Sequence, residues 1–201
     1  MTKVTEDQAE KQIRNEKMES SVLQKDSATS KDSWLKQTLT ISYRGDGPNN
    51  DYGRPYYTAK LSYEWLKMPV LGFEDVIGIT HGDNVDKFDD MMIAMHSYTD
   101  YNGNKTYNDS EYDFEVKNQH GFADIFDLQL FTPTVRANNH EGFMMFAFEQ
   151  DKTNDNTADL YGHYTHALQP TGFSVAITTG SIALTGATES NATDTHIDLT
   201  Y

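Results

Sequence analysis

The chain has 201 residues, and 31 acidic side chains against 16 basic ones give it a net charge of −15. That balance argues against a nucleic-acid backbone, which calls for a basic stripe, and disfavours binding to an anionic membrane surface. The absence of cysteine excludes disulfides and thiolate metal sites.

Hydrophobic residues make up 37% of the chain, but 12 Tyr, 10 Phe and 2 Trp supply ample area for a core. No run approaches the roughly 18 apolar residues of a membrane helix. The negative charge suits divalent cations or basic partners, and it serves solubility equally well.

Residues 1–33 form a charged N-terminal arm, rich in Glu, Lys, Gln and Ser. Thr5 and Gln8 have capping-box spacing, and Ala9, Ile13, Met18, Val22 and Leu23 make a thin apolar stripe. This spacing predicts a marginal helix over 6–24. The segment 26–31 reads as a linker. Residues 1–31 hold no hydrophobic secretory segment, so an exported protein with this sequence would be a mature form.

Residues 34–201 read as a single β-sandwich domain, all-β and mostly antiparallel. Its organising stretch is 57–65. There Tyr57, Ala59, Leu61, Tyr63 and Trp65 alternate with Thr58, Lys60, Ser62 and Glu64. A period of two buries one face of a strand and wets the other. Leu39, Ile41 and Tyr43 alternate before it, and Val76, Ile77 and Ile79 mark a short apolar strand after it. An acidic loop is expected over 81–90 and a strand over 91–101. Asn102-Gly103 is a hairpin turn signal, with return strands near 112–117 and 121–131. Residues 143–149 are apolar at nearly every position, as in a strand buried on both faces. Strands over 160–168, 173–178, 181–185 and 195–201 complete the set. The prolines fall between these segments. Roughly ten strands separated by turn signals indicate a sandwich or barrel.

The stretch Ser-Tyr-Glu-Trp-Leu-Lys-Met-Pro at 62–69, followed by Glu-Asp-Val-Ile-Gly-Ile at 74–79, resembles small exported proteins of Gram-positive bacteria that have no assigned activity. The resemblance implies a secreted or surface location and no particular chemistry.

The candidate metal residues are Asp100, Asn102, Asn104 and Glu111. Counted from Asp100, oxygen-bearing side chains stand at positions 1, 3, 5, 9 and 12, the spacing of a calcium-binding EF-hand loop. Lys105 occupies the position where that motif needs glycine, and the flanks read as strands, so a plain hairpin tip competes with calcium. No other cofactor is expected. His81, Asp83, Asn84, Asp86, Asp89 and Asp90 form a second acidic cluster, more simply read as a solvated loop. Arg44, Gly45 and Asp46 lie in a Gly/Pro/Asn-rich stretch where an integrin-binding tripeptide would be exposed, although an ordinary turn explains them too. His163 and His166 sit three apart on a strand and therefore face opposite sides, which disfavours a shared ion.

The leading functional expectation is a secreted or cell-surface, non-enzymatic protein whose loops recognise an unidentified protein or glycan. The alternative is a β-pore-forming or cytolytic protein, because 173–186 is rich in Thr, Ser, Gly and Ala with alternating apolar residues, as in membrane β-hairpins. A carboxylate-based hydrolase is third. Glu64, Glu111, Glu115, Glu141 and Glu149 are candidates for its acid–base pair, and sequence alone does not give their separation. No Gly-x-Ser-x-Gly, P-loop or His-Glu-x-x-His motif occurs.

Overall fold

The computed structural model describes residues 23–46, 55–69, 72–100, 102–111, 114, 116–128, 137–151, 155–168, 172–186 and 190–201. Among these residues the fold is all-β, with 13 strands. In chain order they are β1 (Leu23–Lys31), β2 (Leu35–Asp46), β3 (Pro55–Trp65), β4 (Glu74–His81), β5 (Val85–Thr99), β6 (Lys105–Glu111), β7 (Val116–Asn118), β8 (Gly121–Asp127), β9 (Asn138–Gln150), β10 (Thr157–Ala167), β11 (Ser174–Thr178), β12 (Ser181–Thr185) and β13 (Ser190–Thr200). A six-stranded sheet runs β1-β2-β3-β9-β5-β6, and a five-stranded sheet runs β13-β10-β4-β8-β7. β11 and β12 make a separate two-stranded sheet. The pairings are antiparallel throughout.

The alternation of 57–65 explains why β3 is central. Tyr57, Ala59, Leu61, Tyr63 and Trp65 are all buried, and β2 and β9 flank the strand. One apolar cluster joins the two sheets. Leu39, Leu61, Phe146 and Phe148 come from the six-stranded sheet, and Ile77, Ile79, Phe122, Phe126, Leu160 and Ile197 from the five-stranded one. That shared interior makes the fold a sandwich. β9 has the expected two-sided burial: Met144, Phe146 and Phe148 face the core, while Phe143 packs with Ile93 and Met95 on the opposite face.

Two expectations are corrected here. Segment 26–31 is not a linker but most of β1, paired along β2 from Leu23↔Tyr43 to Lys31↔Lys36. Its Ser and Thr residues suit an edge strand, with Thr29 facing Thr38 at 3.1 Å between hydroxyl oxygens. Nor is 81–90 a long loop: β4 runs through His81 and β5 begins at Val85. The side chain of Asn84 explains the tight connection, since it donates to the carbonyls of Asp155 and Thr157 at 2.6 and 2.7 Å. Most of the predicted helix, 6–22, lies outside the described residues.

Polar bonds cross the apolar interior. Asp124 on β8 accepts from His96 Nε2 on β5 at 2.7 Å, and Tyr63 Oη donates to His96 Nδ1 at 2.9 Å. Trp65 Nε1 donates to Tyr164 Oη at 2.9 Å. Tyr164 in turn donates to Asp75, which also accepts from His166 Nδ1 at 2.6 Å. Gln37 Nε2 donates to the Gly162 carbonyl at 2.8 Å. Burial holds the Tyr63 and Tyr164 hydroxyls well above the usual phenol range, and the Asp75 charge adds to the effect. Burial also raises the Asp75 carboxyl, against the bonds from His166 and Tyr164. These bonds favour one arrangement of the sheets, because a slip would break them, although Gln37 Oε1 and His166 Nε2 have no hydrogen-bond partner among the described residues.

Candidate functional site

β10 and β13 are neighbours, paired without interruption from Thr157↔Thr200 to Ala167↔Ser190. The chain between them forms β11 and β12, whose hydrogen bonds join neither large sheet. Val175, Ile177, Ile182 and Leu184 are half-buried, while Ser174, Ala176, Thr178, Ser181, Ala183 and Thr185 are exposed. Thr179 and Gly180 form the turn, and Gly180 takes the positive φ of +71° that such a turn needs.

The hairpin lies on the outer face of the five-stranded sheet. Gly78 on β4 makes its seat, because a Cβ there would collide with Ile182 Cδ1. The Gly180 turn rests on Tyr161, whose ring would lie 3.2 Å from a Cβ at that glycine. Asn118 Nδ2 donates to the Ile177 carbonyl at 3.0 Å, and Thr179 Oγ1 meets His120 Nδ1 at 3.0 Å. At its base, Gly172 and Gly186 have φ of +98° and +97°. The Gly172 carbonyl lies 3.0 Å from the Cβ that Gly186 lacks. The chain thus turns at both feet of the hairpin through backbone conformations that glycine favours.

The hairpin and its flanking ladder are nearly in phase. Continuing the β10–β13 register would set residue 174 against 183, whereas Ser174 pairs with Thr185, a slip of two residues. A slip of two keeps every side chain on its own face.

The predicted site residues are placed as follows. Asp100 Oδ1 accepts from the backbone N–H groups of Asn102 and Asn104 at 2.9 and 2.8 Å, and Oδ2 accepts from Asn104 Nδ2 at 3.3 Å. The β5–β6 turn therefore gathers three of the four proposed calcium ligands. Glu111 stands at the far end of β6, its backbone opposite Ala94, six residues or roughly 20 Å along the strand from Lys105. Arg44, Gly45 and Asp46 end β2 at a bulge, where Gly45 has φ of +80°. Arg44 Nε donates to Thr58 Oγ1 at 3.0 Å, so the guanidinium is tied to β3. Within the 81–90 cluster, His81 is buried and Asp83 is exposed. His163 and His166 do face opposite sides: His163 bonds Asp194 and Thr80 on the outer face, and His166 bonds Asp75 inside.

A different trio, unforeseen from sequence, could hold a metal. Asp159, His196 and Asp198 lie on the outer face of β10 and β13, with one ligand atom from each within 4.8 Å of the others. Asp159 and Asp198 are directly opposite across the ladder. A hydrogen bond with Asp159 raises the Asp198 carboxyl, and the charge of His196 opposes this. One imidazole and two carboxylates suit zinc or manganese better than calcium. The signal missed was the outward Asp-x-His-x-Asp alternation at 194–198.

These features define an antiparallel β-sandwich carrying an accessory amphipathic hairpin. No family model matches the chain, and neither does any curated protein. A solved structure described as a pore forming protein is similar, with a TM-score of 0.48 and 10% identity, over 89% of this chain and 91% of that one. No helix of the described residues is long and apolar enough to cross a membrane.

Proposed function

We propose that this protein is an exported β-pore-forming protein whose β11–β12 hairpin leaves the sandwich and enters a lipid bilayer. The observation that carries the reading is the hairpin's construction. It is a separate sheet, apolar on one face and hydroxylic on the other, and it lies nearly in phase with the ladder it interrupts.

A membrane β-strand needs about 9–11 residues; β11 and β12 pair five residues each, so a spanning hairpin would have to lengthen beyond its present ends. Val175, Ile177, Ile182 and Leu184 would face lipid, and Ser174, Thr178, Ser181 and Thr185 a water-filled lumen. One hairpin leaves unpaired edges, which hydrocarbon does not tolerate, so closure requires several copies. On the water-soluble protein the same aliphatic side chains are shielded by the sheet. Half-burying four of them is worth roughly 4 kcal/mol, enough to hold the hairpin down and small enough to surrender to a bilayer.

The test uses the absence of native cysteine. Gly78→Cys with Ile182→Cys places a bridge between the hairpin and its seat. Dye release from liposomes and haemolysis should be seen with wild type and with the reduced variant, fall in the oxidised variant, and return on reduction. A wild-type protein that oligomerises on neither membrane and releases nothing would sink the reading.

A further inference from the structure

The outer face of the six-stranded sheet carries a feature that the hairpin does not explain. Cross-strand register lays its side chains out in rows. One row runs Lys36, Glu64, Glu141, Ser97 across β2, β3, β9 and β5. The next runs Thr38, Ser62, Phe143, Met95, and Lys60 stands in the row beyond. Thr38 and Ser62 are short where their neighbours are long, so the surface dips there into a depression of about 320 Å³. Phe143 and Met95, packed together on this face, form its apolar floor. Lys60 Nζ leans on the Phe143 ring, 4.2 Å from its centroid.

We propose that this depression binds a neutral saccharide. Its volume lies at the lower end of the range for small-ligand sites, about 300–1,000 Å³. Its charged rim is balanced, with two lysines and two glutamates. An anion entering it meets Glu64 and Glu141, and a cation meets Lys36 and Lys60. An uncharged polyol avoids both penalties. Its hydroxyls donate to the carboxylates and accept from the ammonium groups, Thr38 and Ser62, and charge-assisted bonds of this kind are the stronger ones. Met95 and Phe143 are buried beneath the dip, at 2% and 8% exposure, so the sugar would be held through its hydroxyls. Glu64 and Glu141 stand opposite each other on neighbouring strands, so their Cβ atoms are about 5 Å apart. Both are solvent-exposed, on an open sheet face rather than in a cleft that would enclose a glycosidic bond. The arrangement fits holding a sugar rather than cleaving it. The site lies on a sheet face, whereas sequence reading expected recognition by loops.

The experiment is saturation-transfer NMR and calorimetry on the full chain, with methyl glucoside, galactoside, mannoside and N-acetylglucosaminide as neutral probes. Sialic acid and glucosamine serve as charged ones. At least one neutral glycoside should bind at millimolar concentration in preference to both charged probes. Ser62→Tyr, which fills the dip from an outward strand position, should abolish that binding with an unchanged thermal melt. The near-isosteric pair Glu64→Gln with Glu141→Gln should weaken it about tenfold, the worth of one or two hydrogen bonds, and serves if the Tyr variant fails to fold. Binding to no neutral glycoside, preference for a charged probe, full binding by the folded Ser62→Tyr variant, or glycoside hydrolysis would each overturn the proposal. No membrane is present in the assay, so its outcome is separable from that of the hairpin test.

Discussion

β10 and β13 on one side of Ala167, and β11 and β12 on the other, are consecutive stretches of one chain held in unlike ways. The ladder pairs eleven residues on each strand and turns Leu160, Tyr164, His166, Ile197 and Leu199 into the core. Cross-sheet hydrogen bonds from Gln37 and Trp65 fix its position against the opposite sheet. The hairpin pairs five residues on each strand and rests on half-buried aliphatic side chains and two side-chain hydrogen bonds to the body. Breaking the first requires opening the sandwich. Lifting the second exposes one small apolar face, so the two parts should open at very different free energies.

The largest effect that sharpens this contrast belongs to the interior. Trp65 is 6% exposed and donates to Tyr164. Trp65→Ala should destabilise the protein by about 3–5 kcal/mol in denaturant melts. A loss below about 1 kcal/mol would mean that the interior does not depend on this ring.

Next is the cost of Asp124→Ala, which strands His96 at 1% exposure. A loss of about 1–3 kcal/mol is expected, because the buried His96 Nε2–H is left without an acceptor. The double variant His96→Phe with Asp124→Leu should lose less than the single one. If the double variant loses more, the pair is a net source of stability rather than of positional specificity.

Amide exchange addresses the hairpin directly. Residues 174–185 should exchange through an opening of roughly 2–4 kcal/mol, while 158–166 exchange only with global unfolding. Gly78→Ala, which collides with Ile182 and also presses on the Phe122 carbonyl and Ala123 of β8, should speed exchange most in the hairpin. Equal protection in both regions would remove the contrast.

The smallest effect is one of pH. His81 is buried and stacks on Phe146. Its Nδ1 donates to the Gly82 carbonyl, and its Nε2 finds no partner among the described residues. Burial is the chief cause lowering its pKa from the ordinary 6.5. Between that value and the lower native one, the unfolded chain binds more protons, so stability falls as pH drops through this window. Asp75, whose carboxyl is raised above the ordinary 3.8, acts with the opposite sign as pH rises above that value. His81→Phe should flatten the pH dependence of denaturant midpoints just below 6.5, and an unchanged slope would assign it to other groups.

The fold was largely legible because strand alternation is a local signal. The parity of Tyr57, Leu61 and Trp65 alone set the buried face of β3. Parity also placed Asp75 in phase with Ile77 and Ile79, and Asp124 with Phe122 and Phe126. Their pairing with His166 and His96 was not legible, since it depends on which strands become neighbours. β1 was missed for a related reason. Its Ser, Thr and Lys residues resemble a linker until β2 supplies a partner. A chain beginning at Ser33 would lack β1 and leave the edge of β2 bare. Residues 173–186 were recognised as amphipathic, but that they form a sheet of their own needed coordinates. The depression around Ser62 was invisible, because it arises from short side chains on two neighbouring strands.

The slip of two residues between the hairpin and its ladder has a kinetic meaning. A slip of one would turn every side chain over, and the chain could straighten only by breaking and remaking the whole β10–β13 pairing. With two, the hairpin and the ladder keep the same faces, and the ladder can stay intact while the hairpin lifts. The rate at which the hairpin is released should then follow local contacts such as Gly78 and Tyr161. It should be indifferent to substitutions deep in the sandwich that change the global unfolding free energy by several kcal/mol.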